Sequence, residues 1–423
     1  MTTCFDGSRR TDQLAPPDLV DDVDALAVEL ARLGGHVRVA VTPTAPAVGL
    51  FAALRAGVVP AMLRPGWTPD DAYLDEHGFA AVVDGADVVR RPGTAGDVDE
   101  DLVLFTSGTT ARPKGVRLTL DALRANTAAT QTFLGLTGDD VVALPLPVHY
   151  SYGLSTTLLA AGVGAGVVHP DHHQPPVVWV GEILDGDATV LTLLPHQVRL
   201  LLRVADFGAE RLTRLRAVTV AGGALAPADA LALQRRFPDA DVLLMYGQTE
   251  AGPRISIVPP DALAERAGTV GRGIQGYTSM RVRASGEVEV QSPSLMLGYL
   301  DAADASPIGP DGWLATGDLA TVDDDGWFTL VGRCAPFFKP FDERVSFTEV
   351  LDAAADVLPG ATFRLDVVPH AVRGEAIELT AIVDVQTSID ERDTMRRLQR
   401  VLGTAHAPIA VRIERRDEGR KLA

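Results

Sequence analysis

Three short segments and three lysines hold most of the side chains in this sequence that could do chemistry. The run Thr106-Ser107-Gly108-Thr109-Thr110-Ala111-Arg112-Pro113-Lys114-Gly115 sets hydroxyls, small residues and backbone N–H groups beside one ammonium. A concave, donor-rich loop of this kind suits phosphate oxygens, with Lys114 as a point charge. It is not a Walker loop, because no Gly-Lys-Ser/Thr stands at the required spacing. Tyr246-Gly247-Gln248-Thr249-Glu250 offers an aromatic face for a base and, in Thr249 and Glu250, oxygens for phosphate hydrogen bonding and Mg²⁺. In Thr316-Gly317-Asp318 the carboxylate is suited to two ribose hydroxyls, and Gly332-Arg333 follows fourteen residues later. Only three of the 38 basic residues are lysines, at Lys114, Lys339 and Lys421. A genomic bias accounts for arginine elsewhere and makes the three retained lysines positions to locate.

These segments need elements to position them. Leu102 to Phe105 is a short apolar run leading directly into the Ser/Thr/Gly cluster, and "VVALPLP", "ATVLTLLP", "LRAVTVAGG" and "DVLLMYG" repeat the pattern of buried strand followed by loop. Strands buried on both faces of a parallel sheet read in this way. Val48 to Ala56 has a helical apolar face, "GVVPAML" ends at the turn signal Arg64-Pro65-Gly66, and Ala226 to Phe237 reads as a helix. Functional loops are then expected at the carboxyl ends of strands. From Gly286 the alternation changes, and "GEVEVQ" and "GWLATGDLATVDDDGWFTLVGR" read as antiparallel hairpins turning at Asp324-Asp325-Gly326. After Arg333 the chain restarts as a small α+β unit, with a boundary near Cys334-Ala335-Pro336. The expected fold is α/β: an N-terminal domain over 1–333, with mostly parallel sheets, flanking helices and a small antiparallel part, and a C-terminal α+β domain over 334–423.

Composition narrows the function. The 423 residues carry a formal charge of -18, which disfavours a grip on nucleic-acid phosphates. The content is 46% hydrophobic, enough for sizeable cores. The longest weakly polar run, Ser155 to Val168, is too short and too glycine-interrupted for a membrane span. Cys4 and Cys334 cannot build a disulfide framework, and the N-terminus lacks the apolar core of a signal peptide, so a soluble cytoplasmic protein is expected. Between Arg392 and Lys421 nine basic residues face four acidic ones, a locally positive segment suited to closing on an anionic ligand.

Taken together and in order, these segments resemble the superfamily of adenylate-forming enzymes: acyl-CoA synthetases, nonribosomal peptide synthetase adenylation domains and luciferases. The resemblance runs from about Val48 to Lys421. It implies that the Thr106 to Lys114 loop, including Ser107, Gly108, Thr109 and Thr110, holds the β- and γ-phosphates of ATP. It places Gly222, Gly223 and Ala224 with Tyr246, Gly247 and Gln248 around the adenine, and Thr249 on the α-phosphate. Glu250, with Thr106, would hold Mg²⁺, and Asp318 with Arg333 the ribose. His149, in "PLPVHYSYG", matches a residue beside the acyl pocket, whose wall would include Tyr150, Tyr152, Gly222, Gly223 and Met245. Such a lining suits an aryl or short acyl group. The implied C-terminal domain is mobile. It delivers a late-arriving cation near its end, Lys421 or its neighbour Arg420, and then presents Lys339 for the second half-reaction. "ERVSFTEV", from Glu343, resembles the opening of that domain.

The implied reaction adenylates a small carboxylic acid, releases pyrophosphate and passes the acyl group to coenzyme A or to the phosphopantetheine thiol of an acyl carrier protein. Four departures bear on it. Ala111 replaces a usual Gly, Ala335-Pro336 occupies the hinge, Asp342 replaces a Gly on the face for the second step, and the N-terminal region is shorter than usual. They keep open a non-thiol acceptor, through amide formation or nitrite activation for diazotisation. A third reading, a non-enzymatic nucleotide-binding scaffold, is opposed by the intact set of Lys114, Glu250, Asp318 and Arg333.

Overall fold

The apolar runs of the first half become the interiors of two seven-stranded sheets in the computed structural model. It describes residues 19–92, 98–106, 113–170, 174–204, 212–283, 285–301, 304, 306–333, 337–341, 345–359, 361–384 and 389–416. The chain divides into two compact units; the main body of one ends at Gly332 and that of the other begins at Arg333.

In the first sheet of the larger unit, Leu102–Thr106, Val59–Met62, Arg38–Val41 and Phe79–Asp84 lie parallel in that order. Lys114–Leu118 and then Gly298–Tyr299 extend one edge antiparallel, and Asp87–Arg90 the other. Val39, Val59, Val103 and Ala61 are fully buried, as expected of a sheet covered on both faces. Helix Pro46–Ala56 starts with proline in its first turn and ends at Gly57, whose φ of 73° a side chain would resist. The turn at Arg64-Pro65-Gly66 closes with Trp67 N–H donating to the Arg64 carbonyl.

The second sheet runs Gly166–Val168, Val141–Ala143, Val190–Leu193, Ala217–Val220 and Asp241–Gln248 in parallel, then Gly252–Val258 and Arg272–Gly273 antiparallel. Helix Leu120–Leu134 is capped by the Thr119 hydroxyl, which accepts from Ala122 N–H. Helix Ser151–Val163 is buried continuously from Tyr152 to Ala160, so it shows no amphipathic stripe. Gly153 lets it begin against the preceding loop, since a Cβ there would lie 2.4 Å from the Pro147 carbonyl oxygen. The helix read as Ala226 to Phe237 is Pro227–Arg236, with Phe237 as its cap.

A four-stranded sheet of Ser279–Val282, Glu287–Gln291, Leu314–Val322 and Phe328–Arg333 completes this unit. Its first three strands pair antiparallel, and the change of character falls at Ser279, ahead of Gly286. The Asp323–Trp327 turn is held by Asp323 Oδ1, which accepts from Asp325 N–H and Trp327 N–H.

One ion pair ties the second sheet to the helix before it. Asp140 accepts from Arg216 Nε and Nη2, both at 2.9 Å, and from Thr189 Oγ1. Burial pushes the carboxyl pKa up, but the Arg216 and Thr189 hydrogen bonds outweigh it and hold the group well below its ordinary 3.8. A lowered folded-state pKa contributes stability that is present above that ordinary value and lost as pH falls below it. Asp140→Ala is expected to cost about 2 kcal/mol at neutral pH in urea unfolding, discounted for the partial exposure of Arg216, and clearly less at pH 3. Equal losses at both pH values would contradict this.

In the second unit, Gly374–Asp384 pairs antiparallel with Thr362–His370 and parallel with Ala410–Arg416. Helices Phe347–Val357 and Glu391–His406 contribute Ala354, Val357 and Leu398 to a core with Leu379 and Ala381. Asp390 caps the second helix, accepting from Arg392 N–H and Asp393 N–H. Among the described residues no helix is long and apolar enough to cross a membrane.

Candidate active site

The first segment of interest is pinned at both ends. Thr106 ends one strand and Lys114 opens the next, and the two are paired directly. Ser107, Gly108, Thr109 and Thr110 lie outside the described residues. Gly115 must be glycine for the loop to return, because a Cβ would stand 2.8 Å from the Leu300 Cβ. Lys114 Nζ lies 2.8 Å from Asp304 Oδ1 and 4.8 Å from the centroid of the Tyr299 ring. Its charge is therefore answered by a carboxylate.

Tyr299 carries the connection onward. It sits on the edge strand that pairs with Lys114–Leu118, and its hydroxyl donates to Glu250 Oε1 at 3.2 Å. Glu250 stands in a single 3₁₀ turn, Thr249–Ala251, between two antiparallel strands, and is only 8% exposed. Its backbone carbonyl accepts from Met296 N–H. Thr249 Oγ1 donates to Ser151 Oγ at 3.1 Å, at the first residue of the buried helix. Among the described residues no three His, Cys, Asp or Glu side chains converge as a metal cage. One carboxylate beside a hydroxyl instead fits Mg²⁺ brought in by nucleotide phosphates, which keeps waters and takes one or two protein carboxylates.

The third segment meets the second across two sheets. Tyr246 donates its hydroxyl to Asp318 Oδ2 at 2.6 Å, and Asp318 is 3% exposed. Thr316 Oγ1 holds the turn by accepting from Asp318 N–H and donating to the Val288 carbonyl. Gly247 packs its α-carbon against the neighbouring strand, where a Cβ would meet the Pro253 carbonyl at 2.3 Å. Gln248 ends its strand with a buried Nε2 that finds no hydrogen-bond partner among the described residues. Gly222 follows the strand Ala217–Val220 with φ +90°, and a Cβ there would lie 2.6 Å from Leu194 Cδ2; Gly223 and Ala224 continue that loop. His149 is buried, its ring 4.7 Å from that of Tyr150.

Not every candidate joins this cluster. Lys339 belongs to the second unit, where its backbone N–H donates to Glu375 Oε2 at 2.7 Å. Arg333 ends the strand Phe328–Arg333. Lys421 and Arg420 lie outside the described residues. Sequence reasoning missed Tyr299, Asp304 and Ser151, none of which stands in a segment with a chemical signature of its own. It also passed over Arg254, although a lone charge in the strand run Gly252-Pro253-Arg254-Ile255-Ser256-Ile257-Val258 is a visible signal.

The two sheets, the antiparallel third sheet and the loops at their ends form the architecture of adenylate-forming enzymes. The model for the AMP-binding enzyme family matches residues 85–300, just over half of the chain, and the chain belongs to that family. An oxalate–CoA ligase of Arabidopsis thaliana is 30% identical over 343 residues, covering 76% of this chain and 64% of that protein. A solved malonyl-CoA ligase, in a ternary product complex with methylmalonyl-CoA and AMP, superposes with a TM-score of 0.76 at 26% identity, covering 94% of each chain. The amide bond synthetase McbA of Marinactinospora thermotolerans has a TM-score of 0.77 at 24% identity, covering 94% of this chain and 90% of its own, and shows the shared fold. The chain spans about half to two thirds of the length of the curated relatives: 64%, 49%, 46% and 57% of four of them.

Proposed function

We propose that the protein is an ATP-dependent ligase that adenylates a small carboxylic acid and then transfers the acyl group to coenzyme A. The observation that carries this is the linked set Lys114, Tyr299 and Glu250, which joins the returning end of the hydroxyl-rich loop to the Thr249–Glu250 turn. In this reading a carboxylate oxygen attacks the α-phosphorus of ATP, the bond to the β-phosphate bridging oxygen breaks, and pyrophosphate leaves. Charge builds on phosphate oxygens, so positioned cations matter more than an acid or base. Mg²⁺, when bound, neutralises that charge, and Glu250 with Thr106 would hold it. Lys114 and the loop before it take the β- and γ-phosphates. Thr249, oriented by Ser151, takes the α-phosphate. Tyr246 covers the adenine beside Gly222, Gly223 and Ala224, and fixes Asp318, which with Arg333 takes the ribose. His149 lies beside the acid. Lys421 arrives last, and Lys339 serves transfer from the 334–423 domain.

A non-thiol acceptor is a second reading, favoured by Asp342, which lies outside the described residues and in the sequence replaces the glycine expected for the second step. An amide bond synthetase shares this fold. A carrier-protein thiol is a further acceptor for the same intermediate. The test is ATP–pyrophosphate exchange over a panel of aryl, short, long and dianionic acids with nitrite included, followed by AMP release with coenzyme A or an amine. Acid-dependent exchange, with AMP release stimulated by coenzyme A, is expected. Stimulation by amine alone would move the assignment to amide formation, and exchange with nitrite alone to diazotisation.

A further inference from the structure

Three buried carboxylates of the larger unit are answered by arginine: Glu100 by Arg38 and Arg117, Asp140 by Arg216, and Glu289 by Arg281 and Arg283. Arg254 breaks the pattern. It is 1% exposed in the strand Gly252–Val258, and among the described residues no carboxylate pairs with it. Its Nη1 donates to Ser155 Oγ and its Nη2 to Thr156 Oγ1 at 2.5 Å, while its Nε finds no hydrogen-bond partner among the described residues. The guanidinium carbon lies 5.0 Å from the centre of the Tyr152 ring. From there hydroxyls continue to Thr219 at 2.9 Å and Thr192 at 3.3 Å.

Burial pushes the guanidinium down to about 10 and the Tyr152 phenol up to about 12, so at neutral pH the arginine is charged and the phenol is not. Tyr277, the other phenol acting on Arg254, is also pushed up by burial. A buried cation without a counter-anion is costly, and groups of this kind recur where a ligand supplies the missing charge. Arg254 also adjoins the Tyr246–Glu250 segment: its backbone lies against Gly247, and Tyr152 follows Ser151, the partner of Thr249. The guanidinium is thereby joined to the Thr249–Glu250 turn through the first turn of helix Ser151–Val163, and an acid that reaches it from Thr249 has to displace the Ser155 and Thr156 contacts, since Arg254 is 1% exposed.

We propose that Arg254 is a specificity-determining residue that pairs with a second anionic group of the acid, so that the substrate is a small dianionic acid such as a dicarboxylate or a sulfonated carboxylate. The inference rests on the ligase reading above and narrows it. Ser155 and Thr156 donate their own hydroxyls to the Tyr152 carbonyl, so neither is orphaned if the guanidinium is removed. A structural arginine and a substrate-pairing one therefore behave differently on substitution.

The experiment compares matched acids in ATP–pyrophosphate exchange: malonate with propionate, succinate with butyrate, and phthalate with benzoate. The wild type is expected to favour the dianion of at least one pair by about 100-fold in kcat/KM, because a monoanion leaves the guanidinium unpaired. Arg254→Met should bring that ratio near unity through loss on the dianion. It should also raise the melting temperature of the ligand-free protein and abolish the further rise given by the dianion. A wild type that exchanges monoanions as well as or better than every dianion would overturn the inference, whether or not the variant folds. So would an unchanged ratio with a lowered melting temperature in Arg254→Met, the mark of a purely structural arginine. Exchange with no acid at all defeats the ligase reading itself, whereas exchange confined to monoanions defeats only the role of Arg254.

Discussion

Glu250→Gln is expected to lower acid-dependent ATP–pyrophosphate exchange about 10³-fold, equivalent to about 4 kcal/mol of transition-state stabilisation. The carboxylate is buried beside the Tyr299 hydroxyl, and glutamine keeps an oxygen that accepts from it, so the fold and the edge strand should be undisturbed. On the proposed reading, what disappears is the negative charge that would hold Mg²⁺ against the phosphates. The melting temperature should match wild type, and added Mg²⁺ should restore part of the rate. A variant within tenfold of wild type at low Mg²⁺ would show that Glu250 is a buried structural acid and that the metal is held elsewhere.

Lys421→Ala carries the second large expectation, a loss of exchange of about 10³-fold while a supplied acyl-adenylate is still consumed in the presence of the acceptor. The argument begins from composition. Where arginine has taken almost every basic position, the three lysines stand in the hydroxyl-rich 106–115 segment, in the segment after the Gly332-Arg333 pair and near the end of the basic 392–421 stretch. A compact ammonium on a slim stem enters crowded phosphate oxygens where a planar guanidinium is harder to fit. Lys114 already meets a carboxylate, so a second positive charge is needed when charge develops on the α-phosphate. Lys339→Ala should show the converse, with exchange retained and final product lost. Near-wild-type exchange in Lys421→Ala would transfer the role to Arg420.

The strands of the two large sheets were legible because burial on both faces leaves continuous apolar runs, as in Leu102–Thr106 and Asp241–Gln248. Helix Ser151–Val163 was not. Enclosed on all sides, it has no 3.6-residue stripe, and its threonines satisfy their hydroxyls on carbonyls one turn back, so the sequence reads only as a weakly polar stretch. The site divides in the same way. Segments that are contiguous in the chain, such as Tyr246 to Glu250, stand out by composition. The pairs that join them, Tyr246 with Asp318, Glu250 with Tyr299 and Lys114 with Asp304, depend on how the strands are brought together, and no local pattern announces them. Arg254 was legible in principle as a lone charge in a buried strand; its full burial and, among the described residues, its lack of an acid partner separate it from Arg38 and Arg216.

The central claim is that the acid's own oxygen attacks the α-phosphorus. The direct measurement supplies an acid labelled with ¹⁸O in its carboxylate, together with ATP, Mg²⁺ and coenzyme A, and reads the label by mass spectrometry. One labelled oxygen per turnover is predicted in AMP, with none in pyrophosphate. Label recovered in inorganic phosphate alongside ADP, or AMP formed without label, would contradict the account.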